Sequence, residues 1–270
     1  MWEELSILDC QKENQSDRES VRLKFPASAG ITDITLDISP NYEQSYVVFT
    51  QNFERREEGT NLDDDPNHPF VSQIWPSFLV PDNSNSKNQM KFTQLCGNNA
   101  GWEDLRTGFD FNYNNRNKIC QGPEAGPIFI TGDASDDENI VQDQIFIISS
   151  YDSHMAHNIE IEEKNGKAQL NMGVMATAQF IPENFDLSTI VYVGRQPNDQ
   201  FSTAPAGKAE TIRQGIINWG KALTSKPGTV SKEISKLNDP IASHISYSTE
   251  RGAYYYYNTE DEGENSTHSL

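Results

Sequence analysis

The residues of this chain most able to do chemistry are few and scattered. His154-Met155-Ala156-His157 brings two histidines close together. On a strand or its end, a spacing of three sends the two rings to opposite faces, so they cannot share a metal ion; in a turn they could, and a structural role is the reading preferred. Asp133-Ala134-Ser135-Asp136-Asp137-Glu138 has the acidic texture of a calcium loop. It lacks the glycine needed at the sixth position and carries Gln144 at the twelfth, so it reads as a solvated turn. No metal or other cofactor is expected. Gly-x-Ser-x-Gly, Walker and Gly-x-Gly-x-x-Gly patterns are missing, which removes the commonest hydrolase and nucleotide signatures. Carboxylates are plentiful, but glycoside hydrolysis needs two of them within about 10 Å, and spacing alone picks out no such pair.

Three tryptophans divide differently. Trp219 lies on a helical stripe and Trp75 precedes Pro76, so packing roles are expected for both. Trp102 sits in Asn98-Asn99-Ala100-Gly101-Trp102-Glu103-Asp104, where an aromatic platform is flanked by amides and carboxylates. Sugars are held by that combination, with C–H faces on a ring and hydroxyls on planar polar groups. Trp102, Asn99 and Asp104 are therefore candidate sugar contacts. The competing reading is a loop tryptophan that covers a sheet edge.

Composition sets the context. Lys and Arg number 21 against 40 Asp and Glu, a net charge of −19. Such a field repels nucleic acid and anionic membrane, suits neutral polar ligands, and also serves solubility alone. No run of about 18 apolar residues is present to span a membrane. Met1-Trp2-Glu3-Glu4-Leu5 lacks the apolar core of a signal peptide. Cys10, Cys96 and Cys120 make an odd count; a bridge between Cys96 and Cys120 would contribute roughly 3 to 4 kcal/mol, while three free thiols fit a reducing compartment equally well.

The elements that must position these residues read mostly as strands. Hydrophobic content is only 35%, which fits the thin core and long loops of a large antiparallel β-sandwich. Alternation marks strands at 31–38, 46–50, 71–80, 90–95, 128–131, 145–148, 174–181 and 189–193. Ile159 to Leu170, centred on Asn165-Gly166, predicts a two-residue hairpin. Residues 96–126 read as one long polar loop, a length that is usually functional. Ile212, Ile216, Trp219 and Leu223 predict a helix over 209–223, stopped by Pro227-Gly228, with a shorter helix near 231–237. The organisation expected is an N-terminal arm loosely ordered over 1–20, a sandwich over 21–205, a helical linker over 206–245, a strand over 246–258 and a disordered acidic tail over 259–270.

That last strand is unusual. Tyr254 to Tyr257 are consecutive, and alternation prevents all four from being buried on one face. A second layer is needed to cover the rest, so docking to a partner domain or self-association through Tyr254–Tyr257 is one expectation.

Several stretches resemble a known group of proteins. They are Ser150-Tyr151-Asp152-Ser153-His154-Met155-Ala156-His157, Gly173-Val174-Met175, Ile181-Pro182-Glu183-Asn184-Phe185, Thr189-Ile190-Val191-Tyr192-Val193-Gly194 and Trp219-Gly220-Lys221-Ala222-Leu223, in that order. The pattern is similar to the region ahead of the catalytic barrel in raffinose-synthase-like and α-galactosidase-like glycoside hydrolases. The resemblance implies a large β-sandwich leading through helices toward a (β/α)8 barrel, with Tyr247 to Tyr256 similar to the first barrel strand. Glu250 would then be expected to bind substrate hydroxyls, although that group usually shows Trp-Thr-Asp where this chain has Ser248-Thr249-Glu250. The nucleophile and the acid/base of such enzymes come from later barrel strands. The expectation is a non-catalytic sandwich portion of a carbohydrate-active protein, truncated or split, and inactive alone. The alternatives are a carbohydrate-binding module using Trp102, and an assembly domain that docks through its terminal strand.

Overall fold

A computed structural model describes residues 9–15, 18–24, 34–60, 70–81, 90–96, 104–122, 125–132, 144–195 and 208–226. The chain divides into two compact units, Met1–Leu223 and Thr224–Leu270, and only residues 224–226 of the second are described. The expected second helix and the strand over 246–258 lie outside the described residues.

The first unit is mainly β. Its strands are β1 (Asp9–Gln15), β2 (Arg18–Lys24), β3 (Ile34–Asn41), β4 (Tyr46–Phe53), β5 (Glu57–Glu58), β6 (Val71–Leu79) and β7 (Met90–Cys96). They continue with β8 (Asp104–Asp110), β9 (Ala125–Gly132), β10 (Gln144–Ser150), β11 (His157–Lys164), β12 (Lys167–Met175), β13 (Phe180–Ile181) and β14 (Phe185–Arg195). The helix α1 (Lys208–Thr224) follows. Among the described residues, a nine-stranded sheet runs β1-β2-β3-β4-β14-β10-β9-β7-β8, and a three-stranded sheet runs β11-β12-β6. Every strand pairing among the described residues is antiparallel. The architecture is the expected sandwich.

The centre of the large sheet is covered on both faces, and β10 shows why residues 145–148 are all apolar. Ile148 and Phe146 face inward, onto Ile159, Leu170 and Met172 of the small sheet. Ile145 and Ile147 face outward, onto Trp219, Ala222 and Leu223 of α1. A strand buried on both sides loses the polar half of its alternation. Each fully buried isoleucine here contributes about 1.5–3 kcal/mol.

Close approaches fix the layers. A side chain at Gly173 would place its Cβ 1.8 Å from the Gln73 carbonyl, so the β6–β12 pair requires glycine there. The β6–β12 register shifts between Asn171 and Gly173, and Pro76, which has no N–H to give, sits opposite that irregularity. Gly215 on α1 plays the matching part on the other face, where a Cβ would come 2.4 Å from Ile145 Cγ2. The inward stripe of α1 therefore runs through Gly215, Trp219 and Ala222. Ile216, expected on that stripe, is exposed instead.

The hairpin at Asn165-Gly166 forms as read, with φ of 54° and 71° at the two turn residues. Two other segments depart from their sequence reading. Residues 96–126, expected as one loop, contain β8 and a 3-10 turn over Tyr113–Lys118. Residues 9–15, read from composition as part of a loose arm, pair with β2 at the end of the large sheet. Neither segment has the apolar alternation that marks a half-buried strand, because both lie at sheet edges.

Candidate functional site

Of the candidate sugar contacts, Trp102, Asn99 and Glu250 lie outside the described residues, as does the acidic segment at 133–138. Asp104 opens β8, opposite Cys96 on β7. The connection that carries Trp102 thus springs from a defined base. Cys96 is bonded to Cys120, with Cα atoms 6.0 Å apart. Beside the bridge, buried Gln94 accepts from Cys120 N at 2.9 Å and donates to Gly126 O at 3.2 Å. The disulfide and this amide tie the crossing segment to β7.

The residues of the Ser150–His157 stretch converge with the start of β14. Asp152 Oδ1 accepts from Ser188 N at 2.7 Å, and Tyr151 N donates to Ser188 O at 2.8 Å. Ser153, in a left-handed conformation at φ 46°, donates from its hydroxyl to Asp186 O at 3.3 Å. His154 is exposed and its Nδ1 meets the Ser150 hydroxyl. His157 is buried, and its Nε2 bonds Thr189 Oγ1 at 2.8 Å. Burial lowers its pKa from 6.5 to about 4; nearby Asp152 acts in the opposite direction, and His154 adds to the lowering. On the outer side, Trp219 Nε1 donates to Ser149 Oγ at 3.1 Å. The two histidines have separate partners, His154 at the surface and His157 in the interior.

This cluster contains serine, histidine and aspartate, but not in a hydrolytic arrangement. An activated nucleophile needs a base whose far nitrogen is held by a third group. Here the aspartate binds a backbone amide, and the buried histidine bonds a threonine on β14 of the other sheet. The groups close the turn between β10 and β11 onto β14. Buried Glu160 behaves alike, its Oε2 accepting from Phe70 N at 3.2 Å and Val71 N at 3.1 Å. Asn158 donates to Phe70 O at 2.8 Å, so both side chains pin the start of β6. Among the described residues, no group of three or more His, Cys, Asp and Glu is placed to hold a metal ion. No described helix is long and apolar enough to cross a membrane.

A separate cleft was not legible in the sequence. The turn after β3, residues 42–45, meets the C-terminal part of α1 over the ends of β4 and β14, and between them lies an open cleft of about 720 Å3. Tyr46 and Tyr192 are cross-strand neighbours and line it, together with Tyr42, Gln44, Asn218 and Lys221. Asn41 shapes the turn, since its Oδ1 accepts from Gln44 N at 2.9 Å and its Nδ2 donates to Tyr46 OH at 3.1 Å. The available signal was a turn mixing tyrosine with amides. What completes the cleft is a helix more than a hundred residues further along the chain.

No family model matches this chain, and no curated protein matches it. Solved structures do. The GH36 α-galactosidase AgaA A355E from Geobacillus stearothermophilus, in complex with 1-deoxygalactonojirimycin, is similar over 70% of this chain and 26% of its own, at 10% identity and a TM-score of 0.37. The α-galactosidase from Lactobacillus brevis is similar over 72% of this chain and 25% of its own, at 10% identity and a TM-score of 0.38. AgaB from Geobacillus stearothermophilus gives 72%, 26%, 10% and 0.38 for the same quantities. The chain spans about a quarter of the length of these enzymes. They are of the class that the sequence motifs resemble.

Proposed function

We propose that this chain is the non-catalytic β-sandwich portion of a carbohydrate-active protein. The observation that carries this reading is the engagement of the motif residues. Asp152, Ser153, His157 and Thr189 belong to the stretches that resemble α-galactosidase-like proteins, and their polar atoms bond one another and the backbone of β14. Groups held in that way maintain a scaffold. Glycoside hydrolysis needs two opposed carboxylates in an accessible site. The buried carboxylate of Glu160 instead holds two backbone amides.

The test is incubation of the purified chain with an aryl α-galactoside. Release of the aryl group at the buffer rate is expected, and enzyme-dependent turnover would overturn the reading.

A second reading gives the Trp102 connection a sugar-binding role. Its support is the anchored base, where Cys96 pairs with Asp104 and is bridged to Cys120. A loop held at both ends loses less entropy when it orders on a ligand. Trp102→Ala should abolish oligosaccharide binding if that loop is the platform, and unchanged binding would reject it.

A further inference from the structure

The cleft between the 42–45 turn and α1 has a chemistry of its own. We infer that it is a binding site for a neutral oligosaccharide, built from Tyr42, Gln44, Tyr46, Tyr192, Asn218 and Lys221. The inference goes beyond the proposed function, because it places sugar contact on the outer face of the large sheet and needs neither Trp102 nor Glu250.

Four observations carry it. The volume, about 720 Å3, lies within the range of small-ligand sites. Tyr42 is 76% exposed, leaving an aromatic ring at the rim of a shaped depression. Such a ring offers stacking area to the C–H face of a sugar. Tyr192 lines the cleft beside Tyr46, and its hydroxyl makes no hydrogen bond to another described residue. Asn218 accepts from Gln214 Nε2 at 2.9 Å through Oδ1, which leaves its Nδ2 with no partner among the described residues. The lining therefore presents ring faces, an amide donor and a phenol, the groups that recognise hydroxyls on an apolar ring.

Charge selects within that chemistry. Glu43 also lines the cleft and opposes the cation of Lys221, so the lining itself has no strong sign. The whole chain carries −19, which disfavours phosphorylated and uronic acid ligands. A neutral glycan remains.

The experiment is a titration of the full chain with raffinose, stachyose, maltotriose, cellotriose and tri-galacturonate, each to about 10 mM, where even weak binding is measurable. Binding is followed by amide shift changes in 15N-labelled protein. At least one neutral sugar is expected to shift resonances of the 42–45 turn and of α1 near Asn218. Tyr42→Ala and Tyr192→Phe should each weaken that binding about tenfold, with unchanged thermal unfolding for Tyr42→Ala as the check on folding. Three results would each overturn the inference: no neutral sugar binds, only tri-galacturonate binds, or a sugar binds with equal affinity to wild type and both variants. Turnover of an aryl galactoside answers a different question, so the proposed function and the cleft fail separately.

Discussion

Two regions of the molecule use polar side chains to opposite ends. At the β10–β11 turn, serine, aspartate, histidine and threonine bond one another and the backbone of β14. At the cleft, tyrosine and asparagine line open space, with a phenol and an amide nitrogen unpartnered among the described residues. Composition alone would nominate the first region as the active one, because it reads like a catalytic inventory. The difference lies in where the hydrogen bonds end. Polar groups whose bonds close within the fold hold it in shape, while those facing a cavity remain available to a ligand.

The strongest tests of that contrast act on the groups that hold the structure. The largest expected effect comes from the disulfide. Reducing Cys96–Cys120, or replacing both residues with serine, should lower unfolding free energy by roughly 3 to 4 kcal/mol in denaturant titrations. Equal stability of reduced and oxidised protein would mean that Gln94 alone holds the crossing segment.

His157 gives the next effect, and it depends on pH. Its pKa is about 4 in the folded chain against an ordinary 6.5, so between these values the unfolded state binds more protons. Its contribution is therefore fully present above about pH 6.5 and is lost as pH falls toward 4, by on the order of 3 kcal/mol. His157→Gln keeps a polar partner for Thr189 and removes the titration. Its unfolding free energy should depend less steeply on pH over that interval, and an unchanged slope would place the acid sensitivity elsewhere.

Much of the scaffold was legible because its signals are local. The Asn165-Gly166 turn is determined by residues that tolerate positive φ, and the apolar run at 145–148 marks β10 as a strand. Trp219 was placed correctly on the packed face of α1, where it meets Phe129 edge-on at 5.9 Å. The stripe itself was misread at Ile216, because glycine at 215 looks like a weak helix residue until Ile145 is seen beneath it.

What was hidden depends on neighbours distant in sequence. Strand β8 carries an extra residue at Gly108 relative to β7, and its Leu105 is exposed opposite exposed Leu95, so no alternation survives. The cleft was invisible for a related reason. Its floor exists only because the β4–β14 register sets Tyr46 opposite Tyr192, and its wall only because α1 returns across the sheet. The Asp152 cluster was noticed as a motif, but its structural role required the position of Ser188.

The most direct test places both regions in one measurement, the denaturant midpoints of Asp152→Ala, Tyr42→Ala and Asn218→Ala beside wild type. Removing the Asp152 carboxylate leaves Ser188 N without its acceptor, and a loss of about 1–3 kcal/mol is predicted. The two cleft variants are predicted to stay within about 0.5 kcal/mol of wild type. An Asp152→Ala protein as stable as wild type, or cleft variants destabilised as much as it is, would contradict the account.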